Sequence, residues 1–166
     1  MDAGKTLRSI AVTWSDPKTL AEAGRAMAGI EFLRGIRDGR LPAPPIAELL
    51  GFGLVEVEPG YAVFEVVPGE RHYNPIGVVH GGLAMTLLDS AMGCAVQTHM
   101  PAGSGYTTLE AKTNLVRAIT AETGKLRAIG RTLHVGKRMA TAEGRLEDAA
   151  GKLYAHSSTT CIVLSG

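Results

Sequence analysis

A run of residues in the middle of the chain, Leu83 to Gln97, constrains the fold more than any other segment. Apolar residues recur in it at three- and four-residue spacing without an intervening proline, which is the pattern of an α-helix. Most of the remaining positions are apolar as well, so the helix has little room for a solvated face. We therefore expect the rest of the chain to bury this helix on almost every side.

Strand patterns lie on both sides of the helix. Before it, residues 54–58 and 61–66 alternate or run apolar, and Pro59-Gly60 between them is typical of a type II turn. After it, turn-forming residues separate three or four further strands, at about 106–116, 125–135, 139–147 and 152–163. A hairpin, one helix and a meander predict an α+β fold with an antiparallel sheet.

Residues 1–43 differ in character from the rest. Asp16 is a good N-cap and Pro17 suits a first helical position, which predicts a helix continuing toward Arg37. The proline-rich residues 41–45 then indicate an extended connector. We interpret residues 1–43 as an appendage that packs on the domain of residues 44–166 or on a neighbouring subunit. The alternative is a lid or partner-binding helix.

The segment at the start of the helix contains backbone groups that could bind a ligand. Gly81 and Gly82 have no Cβ, so a ligand can approach the backbone closely there. The N–H groups of a helix start lack intrahelical partners and lie at the positive end of the helix dipole. They can hold a carboxylate, a phosphate or the oxygen of a polarised carbonyl, and such a site can serve as an oxyanion hole.

Asp89 lies eight residues further along the helix, on a stripe shared with Met85, Met92, Gly93 and Val96. A carboxylate buried among apolar groups is costly, so we expect Asp89 to have a function. The structural alternative is that Asp89 caps a backbone group or pairs with a basic residue. The presence of Asn74, His80 and the two glycines nearby favours a functional role for Asp89 over a structural one. We interpret His80 as a positioning residue.

The run NPIGVVHGG, with Asp89 nine residues after His80, resembles the acyl-CoA thioesterases of the hotdog-fold superfamily, in the PaaI-like branch. The similarity extends over residues 44–164. It implies a hotdog fold, in which an antiparallel sheet wraps around one long central helix, with the helical extension of residues 1–43 added in front.

The resemblance also implies roles for individual residues. Asp89 would be the catalytic carboxylate, acting as general base or as nucleophile, and Asn74 would orient the water or the substrate. The N–H of Gly81 would hold the oxyanion, with His80 supporting the loop. The remaining implied contacts with substrate are made by Gly82 and by the hydroxyl of Thr107 or Thr108.

No metal or cofactor is required by this chemistry. In relatives, the carboxylate and the oxyanion loop come from different subunits. The resemblance thus implies a homodimer, or a homotetramer built as a dimer of dimers, with active sites at the subunit interface.

The CoA part of a substrate carries phosphates, which Lys and Arg bind well. Lys137 and Arg138, in a predicted turn, are the main candidates, with Arg117 and Arg71 as others. The alternative is that these side chains are simply solvated.

Composition narrows the choice of function. A net charge of +1 argues against nucleic acid as a partner. The sequence shows neither a membrane-spanning run nor a secretory signal, so we expect a cytoplasmic protein. Cys94 and Cys161 have no metal-site spacing and are expected to be reduced.

The expected substrate is an aromatic, phenylacetyl-CoA-like thioester or a medium-chain acyl-CoA. The alternatives are a hotdog hydratase or dehydratase, and a non-catalytic acyl-CoA sensor or scaffold with the same fold.

Overall fold

A computed structural model describes residues 6–164 of the chain. The helices in this part are α1 (Pro17–Ala26), α2 (Gly29–Arg37), α3 (Pro45–Leu50) and α4 (Gly81–Gln97). The strands are β1 (Phe52–Glu58), β2 (Tyr61–Val66), β3 (Gly105–Leu115), β4 (Leu126–Val135), β5 (Met139–Asp148) and β6 (Leu153–Leu164). The strand predictions agree with these bounds to within two residues.

The six strands form one antiparallel sheet in the order β1-β2-β4-β5-β6-β3. Helix α4 packs against β2, β3, β4, β5 and β6. Gly130 in β4 permits this close packing, because a Cβ there would collide with the backbone of Ala91 and Met92. The prediction of an α+β hotdog fold, with a sheet around one long helix, is confirmed.

Helix α4 supplies the centre of the core. Leu87, Leu88, Met92 and Val96 are fully buried against apolar side chains of the sheet. Burying a side chain of this size contributes about 1.5 to 3 kcal/mol relative to leaving it in water. Close packing of the strands against α4 therefore explains why the sheet wraps around this helix.

One face of α4 departs from the sequence analysis, which expected burial on almost every side. Met85 is 47% exposed and Asp89 is exposed as well. The reason is the strand order: β3 is the last strand of the sheet, and within residues 6–164 no further element lies beyond it to cover this face. Asp89 is thus not a buried carboxylate in the single chain.

The outer edge of β3 is long and carries two exposed leucines among polar residues. It spans eleven residues, and Leu109 and Leu115 on it are 57% and 49% exposed. Long, uncovered, apolar edge strands invite pairing with another chain, and natural proteins generally cover, shorten or charge them. The backbone groups along the β3 edge are therefore available for pairing with another strand.

The N-terminal extension corrects a second expectation. A single helix from Pro17 toward Arg37 is wrong, because the chain turns at Met27 and Ala28 and forms α1 and α2. The N–H of Gly29 donates to the carbonyl of Met100, and a Cβ on Gly29 would collide with the carbonyl of Gln97. This contact with the end of α4 fixes where α2 begins.

The predicted extended connector is partly wrong as well. Residues 42–44 lie in neither a helix nor a strand, but Pro45 begins the short helix α3, whose C-cap Gly51 has the left-handed conformation with φ 70°. Proline is well suited to a first helical position. Within the described part of the chain, no helix is both long enough and apolar enough to cross a lipid bilayer.

Candidate active site

The start of α4 leaves one glycine N–H available. His80 is the N-cap, and its Nδ1 accepts a hydrogen bond from the N–H of Gly82 at 2.8 Å. The N–H of Leu83 donates to the carbonyl of His80. Among residues 6–164, the N–H of Gly81 has no acceptor. The two glycines thus differ: the Gly82 N–H is used within the chain, while the Gly81 N–H can donate to a ligand.

The cap also fixes the tautomer of the neutral His80 ring. Its Nδ1 can accept from Gly82 only when that nitrogen carries no proton, so the neutral ring carries its proton on Nε2. The backbone N–H of His80 donates to the carbonyl of His72 at 2.7 Å, which ties the helix start to the preceding turn. His80 therefore connects the start of α4 to the preceding turn.

Asn74 organises the loop that leads to the helix. Its side-chain oxygen accepts hydrogen bonds from the N–H groups of Ile76 and Val78, at 3.1 and 3.3 Å. The turn that brings these donors back needs Gly77, which has a φ of 83°. The hydrogen bonds within the described residues use only the carbonyl oxygen of the Asn74 side chain. Its NH₂ group is therefore available as a donor.

Asn74 and Gly81 meet at one cavity. Its volume is ≈ 310 Å³, and Leu115 and Arg117 also line it. The two donors, the Asn74 amide and the Gly81 N–H, thus share a space that an acyl oxygen and a water molecule could enter. This cavity contains no carboxylate.

Asp89 lies at a different cavity. That cavity has a volume of ≈ 290 Å³ and is lined by Met85, Thr86, Asp89, Ala111 and Thr113. Thr108 donates its hydroxyl proton to Oδ1 of Asp89 at 2.9 Å. Thr107 is exposed and points to the other side of β3. Of the two threonines considered from the sequence, Thr108 is thus the one that contacts the carboxylate.

The two cavities share no residue. Gly81 and Asp89 are eight positions apart on α4, which corresponds to roughly 12 Å along the helix axis. A single thioester carbonyl cannot contact both groups across that distance. Within one chain, the Gly81 N–H and the Asp89 carboxylate therefore lie at separate cavities.

Lys137 and Arg138 are exposed in the turn between β4 and β5. The strand pairing from β5 through β6 to β3 places this turn near Thr107. Met139 pairs with Ile162, and Ile162 pairs with Thr107. At about 4.8 Å per strand, the turn lies roughly 10 Å from β3. Neither side chain forms an ion pair within the described residues.

His72 supports the site and was not identified from the sequence. It is buried, its Nδ1 accepts from the N–H of Gly69, and its Nε2 donates to the carbonyl of Leu50 at 3.0 Å. Its own carbonyl accepts from His80. A lone histidine ahead of the motif gives no sign of this role, since its partners are backbone groups, among them the carbonyl of Leu50, 22 residues away.

The lowered pKa of His72 predicts that the stability of the fold depends on pH. Burial, together with the nearby charge of Arg71, lowers the pKa of His72 below its ordinary value of 6.5, despite the opposing hydrogen bond to Leu50. The unfolded chain therefore takes up the proton first as the pH falls. Stability is fully present above about pH 6.5 and is lost as the pH drops toward the folded-state pKa.

We expect the melting temperature to fall between about pH 6.5 and pH 5, and to fall less in His72→Gln. Glutamine can accept from Gly69 and donate to Leu50 without titrating. The measurement is thermal unfolding of both proteins across this range. An identical pH slope for the two proteins would show that His72 does not contribute.

Comparisons with known proteins show the family of this chain. The family model described as the thioesterase superfamily matches residues 76–155, which include the helix start and Asp89. A candidate esterase of Saccharolobus solfataricus is 30% identical over 122 residues, covering 74% of this chain and 85% of that protein. The 1,4-dihydroxy-2-naphthoyl-CoA hydrolase of Listeria monocytogenes is 26% identical over 118 residues, covering 71% and 94%.

One solved structure is similar to this chain over nearly the whole length of that structure. A single-site variant of the phenylacetic acid degradation protein PaaI from Thermus thermophilus superposes with a TM-score of 0.65 at 28% identity. The match covers 72% of this chain and 98% of that one. With its hotdog fold and these relatives, the chain belongs to the thioesterase superfamily, in the PaaI-like branch, and is a thioester hydrolase.

Proposed function

We propose that this protein hydrolyses acyl-CoA thioesters with an aromatic or medium-chain acyl group, releasing the free acid and CoA in the cytoplasm. The observation that carries the proposal is the free N–H of Gly81 at the start of α4, in one cavity with the Asn74 amide. An uncommitted donor at a helix start is suited to a developing oxyanion. The relatives named for CoA-thioester hydrolysis and phenylacetic acid degradation support the substrate class.

The proposed reaction uses few groups. Asp89 takes a proton from a water molecule, whose oxygen forms a bond to the thioester carbonyl carbon. The carbonyl oxygen becomes an oxyanion that accepts from the Gly81 N–H, and the Asn74 NH₂ aligns the reactants. Collapse of the intermediate breaks the C–S bond, and the CoA thiolate recovers the proton. Direct attack by Asp89, through an anhydride, is the alternative route.

A second copy of the chain completes the site in this proposal. Gly81 and Asp89 lie too far apart on one helix to act together, and the face that carries Asp89 ends at the uncovered edge of β3. Antiparallel pairing of two β3 edges about a two-fold axis would cover Leu109, Leu115 and Met85. It would also bring a second α4 start toward Asp89. We propose a homodimer, or a dimer of dimers, on this basis.

Lys137 and Arg138 suit the phosphates of CoA in the same dimer. In an antiparallel pair of β3 strands, the Thr107 end of one chain lies beside the Leu115 end of the other. The partner's Lys137 and the partner's Arg138 would then lie near the open side of the Asp89 cavity. Neither side chain has an acidic partner within the described residues, so both can bind phosphate.

The test of the proposed function is thiol release from short-, medium- and long-chain and aromatic acyl-CoA thioesters. We expect turnover with at least one medium-chain or aromatic substrate, at a kcat/KM in the ordinary range for enzymes, above about 10⁴ M⁻¹s⁻¹. Absence of turnover with every CoA thioester would contradict the proposal.

A site shared between chains predicts complementation. Co-expression of differently tagged Asp89→Asn and Gly81→Pro chains, followed by purification on both tags, gives hetero-oligomers. Each heterodimer would contain one site with both defects and one intact site, so we expect about half of the wild-type activity. The two homo-oligomers are the controls. Activity no higher than that of these controls would place the whole site within one chain.

A further inference from the structure

Thr86 and Asp89 line the same cavity. They are three positions apart on α4, so their Cβ atoms are neighbours on one face of the helix, about 5 to 6 Å apart. Side chains on a helix lean toward the helix start, so the Asp89 carboxylate leans over the turn that contains Thr86. The cavity therefore brings one hydroxyl group and one carboxylate close together.

The hydroxyl group of Thr86 can act only as an acceptor toward this cavity. It donates its single proton to the carbonyl of Gly82 at 2.9 Å, which leaves the lone pairs of Oγ1 available. One oxygen of Asp89 is available as well. Oδ1 accepts from Thr108, whereas Oδ2 accepts from no group within residues 6–164. The cavity thus offers two neighbouring acceptors from two different residues.

Two neighbouring acceptors suit a molecule with two O–H bonds. A water molecule donates two hydrogen bonds of about 2.8 Å each, so it can bridge oxygens that are up to about 5.6 Å apart. This reach matches the spacing of residues three positions apart on a helix. Thr113 carries the other hydroxyl that lines this cavity, but it lies five residues beyond Thr108 along β3, at about 3.3 Å per residue. Thr86 is therefore the hydroxyl nearer the carboxylate.

We propose that Thr86 orients the attacking water against Asp89. This inference rests on the proposed function and adds a residue to it. One O–H of the water donates to Oδ2 of Asp89, which takes that proton as the water oxygen bonds to the thioester carbonyl carbon. The other O–H donates to Oγ1 of Thr86. Its proton stays on the attacking oxygen and leaves with the acid product.

The experiment compares Thr86→Val with Thr86→Ser in the full-length protein. Valine keeps the branched shape of threonine and lacks the hydroxyl. Serine is the matched control, because its hydroxyl can still donate to Gly82 and accept from water. We measure kcat and KM for thiol release from one acyl-CoA that the wild type hydrolyses, and thermal melting shows whether each variant is folded. Thr86→Ala, with its higher helix propensity, supplies the test if Thr86→Val does not fold.

We expect Thr86→Val to lower kcat by about 10- to 100-fold, the scale of effect when a reacting group is misplaced. KM should change by less than about twofold, because the water is oriented for the transition state and does not hold the substrate. Thr86→Ser should keep most of the wild-type kcat. A rise in KM at constant kcat would assign Thr86 to substrate binding and contradict the inference.

A double mutant separates water orientation from a packing effect. Residues that act together on one group have non-additive effects, whereas independent residues have additive ones. We therefore expect Thr86→Val to lower kcat by less than about threefold when it is introduced into Asp89→Asn, which has already lost the base that uses the oriented water. An equal loss in both backgrounds would show that Thr86 acts independently of Asp89.

Two further outcomes would overturn the inference: a wild-type kcat in the folded Thr86→Val or Thr86→Ala protein, or an equal loss of kcat in Thr86→Ser and Thr86→Val. Failure of the proposed function would look different, because the wild type would then release no thiol from any CoA thioester. An unchanged kcat in an active enzyme thus rejects the role of Thr86 alone.

Discussion

Replacing Asp89 with asparagine is expected to lower kcat by about 100- to 10,000-fold, the usual range for loss of a positioned general base or carboxylate nucleophile. The side-chain oxygen of asparagine can still accept the hydroxyl proton of Thr108, so the local hydrogen bond at 2.9 Å is retained. Asp89 is exposed in the single chain, and no ion pair of the described residues includes it. We therefore expect an unchanged melting temperature.

The matched control is Glu110→Gln. Glu110 is an exposed acid on β3, two positions beyond Thr108, so this variant removes the same charge from the same part of the surface. Thiol release and thermal melting are measured on both variants. Equal activity of Asp89→Asn and Glu110→Gln would exclude a catalytic role for Asp89. Unfolding of Asp89→Asn would instead support a structural role.

Gly81→Pro is expected to lower kcat by about 100- to 1,000-fold relative to Gly81→Ala, the range observed when one oxyanion donor is removed. Proline removes the N–H, and it is well tolerated at the first position of a helix. The preceding His80 has φ −62° and ψ 132°, a conformation that proline favours in its neighbour. The substitution thus removes the donor with little change to the backbone.

Gly81→Ala controls for the added Cβ. Both substitutions place that atom against the δ-carbon of Leu115, the flexible end of a side chain, so both disturb packing to a similar degree. Only the proline variant lacks the N–H. The measurement is kcat and KM for each variant with one acyl-CoA substrate. Similar kcat values for the alanine and proline variants would show that the Gly81 N–H does not hold the oxyanion.

Much of the fold follows from local patterns. The helix from Leu83 to Gln97, the Pro59-Gly60 turn and the later strands depend on periodicity and turn chemistry, which neighbouring residues determine. The structure extends the helix back to Gly81 because His80 caps it. Gly60 has a φ of 73°, as a type II turn requires.

What the sequence does not predict depends on distant contacts. The break between α1 and α2 arises where Gly29 meets Gln97 and Met100, about 70 residues away in the chain. The exposure of Asp89 depends on the position of β3 at the end of the sheet, although it is third in sequence. Local patterns carry no information about strand order, so the stripe of apolar residues around Asp89 predicts a burial that the single chain does not provide.

Within the site, the glycine pair, Asn74, His80 and Asp89 are recognisable from the sequence because they form a compact motif. The choice between Thr107 and Thr108 is different. The ladder between β3 and β6 shifts its register between Thr108 and Glu110, so alternation along β3 does not persist through Leu109. Only the structure shows that Thr108 faces α4.

Leu115 links the edge of the sheet to the start of α4. It belongs to the uncovered strand β3, is 49% exposed, and lies against Gly81. Whatever pairs with β3 therefore also sets how Leu115 lies beside the oxyanion donor. In the proposed dimer, separation of the chains removes the carboxylate and loosens the donor at the same time. The abundance of the protein would then govern its activity twice, through the number of chains and through the fraction of them that are paired.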